Sequence, residues 1–344
     1  MATDDSLRLT LLNPWQRDFP LVREPFAHIA GSVGLSTDAV LAGYAQLQRE
    51  GALSRIGGVF AGTAGGAALL AAMAVPPERL DAVAAVVSSH PGVNHNYQRE
   101  HRFNLWFVMT GQDDAAVRAA MRSLEETTGL PALQLRMQRA YRIDLGFDLR
   151  GCTALAPMAA SREASPVLEA DRPLAALLEA GLPLVPRPYD AWAQALGRTP
   201  DSVLHTLQQW LDQGTVRRIG AIVRHHELGF DANAMTVFNI PDAQVDAFGE
   251  ALSRISGVTL AYRRECAEGW PYNLYCMVHG RDRAAVRDVI ARAIATVGLE
   301  PFAHEVLFSC RRFKQTGPRR FRALPEPQAR EASTTMEVLD AVAG

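Results

Sequence analysis

Three residues alternating along one short stretch could together do acid–base work on a carboxylate: His95, Tyr97 and Arg99, in the run Asn94-His95-Asn96-Tyr97-Gln98-Arg99. On a strand, side chains two apart share a face, so this spacing sets an imidazole, a phenol and a guanidinium side by side. Histidine titrates near neutrality and suits proton transfer, while an arginine fork grips a carboxylate through two parallel hydrogen bonds. These three form the candidate catalytic set. A second run holds Tyr262, Arg263 and Arg264 but has Leu260 where the first has His95. Those three, with His101, Arg218, Arg224, His225 and His226, are candidate substrate-binding residues. For a single arginine taken alone, a surface ion pair of little energetic weight is the commoner role.

The two runs are parts of a longer repeat. Residues 19–59 align without a gap on 182–222, pairing Pro20-Leu21-Val22 with Pro183-Leu184-Val185, Gly34 with Gly197 and Arg55-Ile56-Gly57 with Arg218-Ile219-Gly220. Farther on, Tyr97, Arg99 and Glu100 match Tyr262, Arg264 and Glu265; after a short insertion Asn104-Leu105-Trp106 matches Asn273-Leu274-Tyr275. Each copy opens with a turn at Gly34 or Gly197 and a helix capped by Ser36 or Thr199, ended by Gly51 or Gly214, which predicts a helix-turn-helix. Each then alternates strand and helix in the order β-α-β-β-α-β, a ferredoxin-like antiparallel sheet with two helices on one face. The expected fold is therefore α+β, a tandem repeat of winged helix-turn-helix plus ferredoxin-like domain. Its expected boundaries are 6–57 and 58–148 for the first copy, a linker at 149–171, 172–221 and 222–317 for the second, and a loose tail at 318–344.

Bulk properties narrow the partners. The 344 residues carry a net charge of −2, which gives no general attraction to nucleic acid or an anionic membrane. Lys314 is the only lysine, so nearly every cation is an arginine fork. The four cysteines, Cys152, Cys266, Cys276 and Cys310, show no C-x-x-C spacing, so neither a zinc site nor a disulfide framework is expected. The apolar stretch at 67–75 is too short for a bilayer span, and the acidic start of the chain does not read as a signal peptide; a cytoplasmic location is expected.

Several motifs carry a family likeness: Arg55-Ile56-Gly57; Gly92-Val93-Asn94-His95-Asn96-Tyr97-Gln98-Arg99-Glu100; Asn104-Leu105-Trp106-Phe107; Ala140-Tyr141-Arg142-Ile143-Asp144-Leu145-Gly146-Phe147; and Phe308-Ser309-Cys310-Arg311-Arg312-Phe313-Lys314-Gln315-Thr316-Gly317. In that order and largely twice over, they resemble the sirohaem decarboxylases of haem d1 biosynthesis, a branch of the Lrp/AsnC-regulator fold. The first half resembles the D-type subunit and the second the L-type, fused in one chain. The resemblance implies decarboxylation of the sirohaem acetates at C12 and C18 to methyl groups, with no cofactor beyond the substrate's own iron macrocycle and no resident metal. It also implies that the two halves pair within the chain, with further homo-oligomerisation left open. His95 could then supply the proton to the carbanion-like CH2, or could ligate the sirohaem iron.

Two other readings compete, an Lrp/AsnC-type transcription regulator and a non-catalytic tetrapyrrole carrier. The recognition helices weigh against the regulator. Formal charge sums to −1 over 36–50 and −2 over 199–213, so phosphate would be repelled although Gln46, Gln48, Gln208 and Gln209 could bond to bases. No specific DNA partner is expected.

Overall fold

A computed structural model describes residues 2–143, 147–148, 153–154, 164–224 and 232–322. The first copy runs α1 (Ala2–Leu12), α2 (Pro25–Val33), α3 (Thr37–Arg49), β1 (Leu53–Phe60), β2 (Ala67–Met73), α4 (Leu80–Ser89), β3 (Val93–Arg99), β4 (Leu105–Gly111), α5 (Asp114–Thr128) and β5 (Ala132–Ile143). Two short strands follow, β6 (Phe147–Asp148) and β7 (Thr153–Ala154). The second copy repeats the order with α6 (Arg172–Ala180), α7 (Pro188–Leu196), α8 (Pro200–Asp212), β8 (Val216–Val223), β9 (Ala232–Phe238), α9 (Val245–Ser253), β10 (Val258–Arg264), β11 (Leu274–Gly280), α10 (Arg283–Val297) and β12 (His304–Gln315).

The chain divides into two compact units, each built from both copies. One combines residues 1–65 with 144–231 and holds both helix-turn-helices. Here Ser36 and Thr199 cap α3 and α8 by accepting from the backbone N–H groups of Ala39 and Ser202. Gly34 and Gly197 close α2 and α7 at φ of 71° and 63°, a left-handed conformation that glycine adopts without strain. The wings β1 and β8 pair with each other in antiparallel register, Gly57 opposite Gly220. The Arg-Ile-Gly motif has a steric cause there: a Cβ on Gly220 would fall 2.3 Å from the Gln16 carbonyl oxygen, and one on Gly57 2.7 Å from that of Leu178.

The second unit, 66–143 with 232–344, is a closed eight-stranded barrel in the order β10-β11-β9-β12-β3-β4-β2-β5. Within it each copy keeps the ferredoxin-like strand order, β5-β2-β4-β3 and β12-β9-β11-β10. Closure depends on the last strand of each copy being twelve residues long. Residues 132–136 of β5 pair with β2 of their own sheet, and 137–143 pair with β10 of the other copy. In the same way β12 pairs with β9 through Phe308 and with β3 from Ser309 onward. Neither sheet is left with an open edge. The outer faces bury Val83, Phe107 and Met121 under α4 and α5, and Val245, Leu274 and Ile290 under α9 and α10. The interior is filled by Trp106, Leu135, Met235, Tyr262, Trp270 and Tyr275.

The α+β class and the tandem repeat agree with the sequence reading, but three expectations need correction. The boundaries expected at 57/58 and 221/222 fall inside β1 and β8, because each wing runs to residue 60 or 223 to complete its pairing; the units divide at Gly65/Gly66. Residues 164–171, assigned to the linker, are anchored: Val167 donates to the Ala64 carbonyl at 2.7 Å and Thr215 to that of Ser165 at 2.8 Å. The tail is packed as far as Arg322, with Arg320 and Phe321 buried and Arg320 backbone seated where a side chain on Gly66 would stand. Residues 323–344 lie outside the described set.

Candidate active site

Strand alternation delivers the predicted cluster. On β3, Asn96 faces outward and donates to the Ala84 carbonyl of α4 at 3.2 Å, so His95, Tyr97 and Arg99 face the barrel interior. The His95 and Tyr97 rings lie 6.2 Å apart, and the Arg99 guanidinium carbon is 5.9 Å from the Tyr97 ring centre. Depth is graded: His95 and Tyr97 are half-buried, whereas Arg99 is buried. Arg99 donates through Nη1 to the Leu307 carbonyl at 2.9 Å, and its Nε has no hydrogen-bond partner. No carboxylate among the described residues pairs with it.

Arg264 repeats the pattern from the other copy. Buried on β10, it donates to the Leu135 carbonyl at 2.8 Å, leaves Nε unpartnered, and stands 4.6 Å from the Tyr262 ring centre and 5.9 Å from that of Tyr275. A guanidinium taken from water without a counter-charge is costly, and among the described residues the barrel holds this arrangement twice.

The interior also sets protonation. Burial, helped by the Arg99 charge, lowers the His95 pKa to about 4, so this imidazole is neutral at neutral pH. That corrects the expectation of a histidine titrating near neutrality: desolvation disfavours its cation and the nearest charge is positive. Its ring makes no hydrogen bond with the described residues and so keeps a nitrogen lone pair available. Burial pushes the Tyr97 phenol up, opposed by Arg99 and Arg312, so it stays a proton-bearing donor. Burial likewise lowers Arg99, opposed by Tyr262, Tyr97 and Cys310.

Not every predicted residue joins this group. Arg263 projects from the opposite face of β10 to Tyr262 and Arg264, and is paired with Asp242 at 2.8 Å and Asp246 at 3.7 Å. His101 lies past the end of β3, where its Nδ1 accepts from the Phe103 backbone and its ring meets Trp270 at 5.3 Å; burial lowers its pKa against the pull of Glu305. Arg218 and Arg224 belong to the helix-turn-helix unit. There Arg218 is buried and donates to the Gln16 carbonyl, with burial, Arg17 and Arg55 lowering its pKa to about 10. Arg224 donates to the Gly51 carbonyl at 3.5 Å. His225 and His226 lie outside the described residues.

Two residues the sequence reading left without a role belong beside the cluster. Across the β3–β12 seam, Arg312 pairs in register with Tyr97 and Gln315 with His95, and the Arg312 Nη1 donates to the Gln315 Oε1 at 3.0 Å. Comparing Ala140-Tyr141-Arg142-Ile143 with Arg312-Phe313-Lys314-Gln315 would have signalled them, since polar residues replace apolar ones at two of the four places. Lys314 points away and donates to the Ser88 and His90 carbonyls at the end of α4, at 2.6 and 3.0 Å. Trp270, inside the insertion of the second copy, was also missed. It is fully buried, its ring lies tilted against Trp106 with centroids 5.2 Å apart, and it donates to the Tyr275 hydroxyl at 2.7 Å.

Two of the four glutamines on the recognition helices have side-chain partners. Gln46 donates to Glu50 at 2.8 Å and Gln208 to Asp212 at 2.9 Å, which ties each amide to a carboxylate one turn on.

Comparison with known proteins agrees with this division. A family profile described as "AsnC-like ligand binding domain" matches residues 63–142 and 227–314. Another, described as "Siroheme decarboxylase NirDL-like HTH domain", matches 10–53 and 171–217. The "Siroheme decarboxylase NirDL subunit" of Paracoccus denitrificans is 42% identical over 92% of this chain and 97% of its own length. The chain belongs to the sirohaem decarboxylase family. Family members also occur with the halves apart: the "Siroheme decarboxylase NirL subunit" of Stutzerimonas stutzeri is 49% identical over 144 residues, 42% of this chain and 85% of that protein. The present sirohaem decarboxylase family member carries both copies on one chain, and they pair through the β5–β10 and β12–β3 seams. A crystal structure of "the siroheme decarboxylase NirDL in co-complex with iron-uroporphyrin III analogue" superposes with a TM-score of 0.64 at 25% identity, covering 97% of this chain and 99% of that one. Among the described residues, no helix is long and apolar enough to cross a membrane.

Proposed function

We infer that this chain is a sirohaem decarboxylase, converting the C12 and C18 acetates of sirohaem to methyl groups and yielding didecarboxysirohaem, as haem d1 biosynthesis requires. The observation that carries this reading is the pair of buried arginines, Arg99 and Arg264, facing the barrel interior without an acidic partner among the described residues. A ligand bearing several carboxylates offsets their desolvation with charge-assisted hydrogen bonds. The curated relatives named as siroheme decarboxylases, and the solved relative holding an iron-uroporphyrin III analogue, support the same class of ligand.

The reacting acetate and the anchoring carboxylates have different needs. A carboxylate gripped by arginine is stabilised against losing CO2, so Arg99 and Arg264 suit the carboxylates that do not react and thereby orient the ring. The reacting acetate is placed beside Tyr97. When its CH2–COO− bond breaks, the electron pair passes into the substrate's macrocycle, which serves as the electron sink without a further cofactor. Tyr97 then delivers its hydroxyl proton to the CH2, and water restores it. His95, neutral in this setting, offers a ring nitrogen to the substrate's iron.

The test is anaerobic turnover of sirohaem by the wild type and by Tyr97→Phe. Loss of a positioned proton donor slows turnover about 100- to 10,000-fold while binding persists. A Tyr97→Phe variant as fast as wild type removes Tyr97 from the chemistry, and bound sirohaem recovered intact from the wild type would make the chain a carrier.

A further inference from the structure

The barrel contains two stations on the same backbone framework. At the first, β3 meets β12 with Arg99 opposite Ser309, Tyr97 opposite Arg312 and His95 opposite Gln315. At the second, β10 meets β5 with Arg264 opposite Met137, Tyr262 opposite Ala140 and Leu260 opposite Ile143. Register shifts interrupt both seams at corresponding places, and outward side chains correspond too: Lys314 donates to the Ser88 carbonyl ending α4, and Arg142 to the Ser253 carbonyl ending α9. The anchoring parts are present twice, since Tyr97 and Arg99 recur as Tyr262 and Arg264 and each arginine donates to the opposite copy's last strand, at Leu307 or Leu135.

Four inward positions differ in kind. His95, Arg312 and Gln315 at the first station are Leu260, Ala140 and Ile143 at the second. The fourth is Ser309, which donates to the Asn233 side-chain oxygen at 2.9 Å and is replaced by Met137 at the second station. A reacting acetate is positioned through the non-reacting polar groups held around it, and the leucine, alanine and isoleucine side chains of the second station offer those groups no hydrogen bond. The first station offers an imidazole nitrogen, a guanidinium and an amide within one patch, with Arg312 and Gln315 already bonded to each other at 3.0 Å.

We propose that tetrapyrrole acetates lose CO2 only at the β3–β12 station, where Arg312 and Gln315 are substrate-holding residues, and that the β10–β5 station anchors without reacting. This rests on the decarboxylase reading above. Each visit breaks one CH2–COO− bond, releases CO2, and replaces it with a C–H bond whose proton comes from Tyr97 and ultimately from water, with no net oxidation or reduction. The two acetates of one substrate must therefore reach the same station in turn. A singly decarboxylated tetrapyrrole has to reorient between the two events, and with substrate in excess it builds up before the doubly decarboxylated product.

The experiment compares wild type with Arg312→Ala/Gln315→Ile, which gives the first station the second's residues at two of these places, and with Ala140→Ser/Ile143→Thr at the second station. Binding is read by the visible spectrum with iron-uroporphyrin III, and turnover by mass spectrometry with sirohaem. Wild type binds one iron-uroporphyrin III per chain, and the first-station variant binds about tenfold more weakly or worse. That variant loses both decarboxylations together, whereas the second-station variant matches wild type. Arg312→Lys, which keeps the charge, retains more affinity than Arg312→Ala and guards against a folding defect. The proposal is overturned if the first-station variant still performs one of the two decarboxylations at the wild-type rate, if two tetrapyrroles bind per chain, or if the first-station variant binds iron-uroporphyrin III like wild type. Wild type that binds but leaves sirohaem unchanged refutes the decarboxylase reading instead, and the binding comparison still decides which station holds the ring.

Discussion

Replacing His95 with leucine, the residue at the equivalent place in the second copy, should remove part of the protein's acid sensitivity. Folded, His95 titrates at about 4 against an ordinary 6.5, because burial and Arg99 both oppose its cation. The unfolded chain therefore binds a proton that the folded chain refuses. This contribution to stability is fully present above pH 6.5 and is lost progressively as pH falls from there toward 4. Between about pH 7 and about pH 5 the two titrations differ by about 2 kcal/mol. Urea unfolding followed by tryptophan fluorescence, with Trp106 and Trp270 as reporters inside the barrel, measures it at the two pH values. His90, which burial and Lys314 also lower to about 4, remains in both proteins, so the difference between variant and wild type isolates His95. His95→Leu should lose about 2 kcal/mol less than wild type on acidification. An identical loss in both proteins would show that His95 titrates alike in the folded and unfolded chain, so that burial does not hold its pKa down.

Gly249→Ala would set a Cβ 2.1 Å from the Tyr141 ring, where α9 of the second copy packs on β5 of the first; overpacking of about 1–3 kcal/mol should appear in thermal unfolding. Arg99→Leu and Arg264→Leu should each weaken iron-uroporphyrin III binding by about 2–5 kcal/mol in a spectral titration, and unchanged affinity in both would move the carboxylate anchors elsewhere. Each change also leaves a buried carbonyl, at Leu307 or Leu135, without its donor, at a stability cost of about 1–3 kcal/mol measurable by urea unfolding. Genomic duplex fragments at low salt should yield no sequence-dependent complex in a mobility-shift titration, since Gln46 and Gln208 are held by Glu50 and Asp212.

Local rules in the sequence already specify much of this molecule. The caps at Ser36 and Thr199, the left-handed glycines 34 and 197, and the period-two placement of His95, Tyr97 and Arg99 depend on neighbours a few residues away, so the repeat and the cluster were legible. Barrel closure was not. It arises because β5 and β12 continue past Met137 and Phe308 into partners far along the chain, and the register shifts near Ala140 and Arg312 interrupt the alternation by which such strands are recognised. The same long-range pairing hid Arg312 and Gln315, whose meaning comes from standing opposite Tyr97 and His95. Arg263 misled for a complementary reason. Adjacent to Arg264 in sequence, it lies on the other face of the strand and is held by Asp242 and Asp246. The histidine's charge state was equally out of reach, since desolvation is set by the assembled barrel.

The most direct measurement of the central claim is the mass of the tetrapyrrole after anaerobic incubation of the purified full chain with sirohaem. The account predicts product lighter by two molecules of carbon dioxide, appearing after a species lighter by one, and lost in Tyr97→Phe and in Arg312→Ala/Gln315→Ile. Sirohaem bound by the wild type yet recovered at its original mass would contradict it.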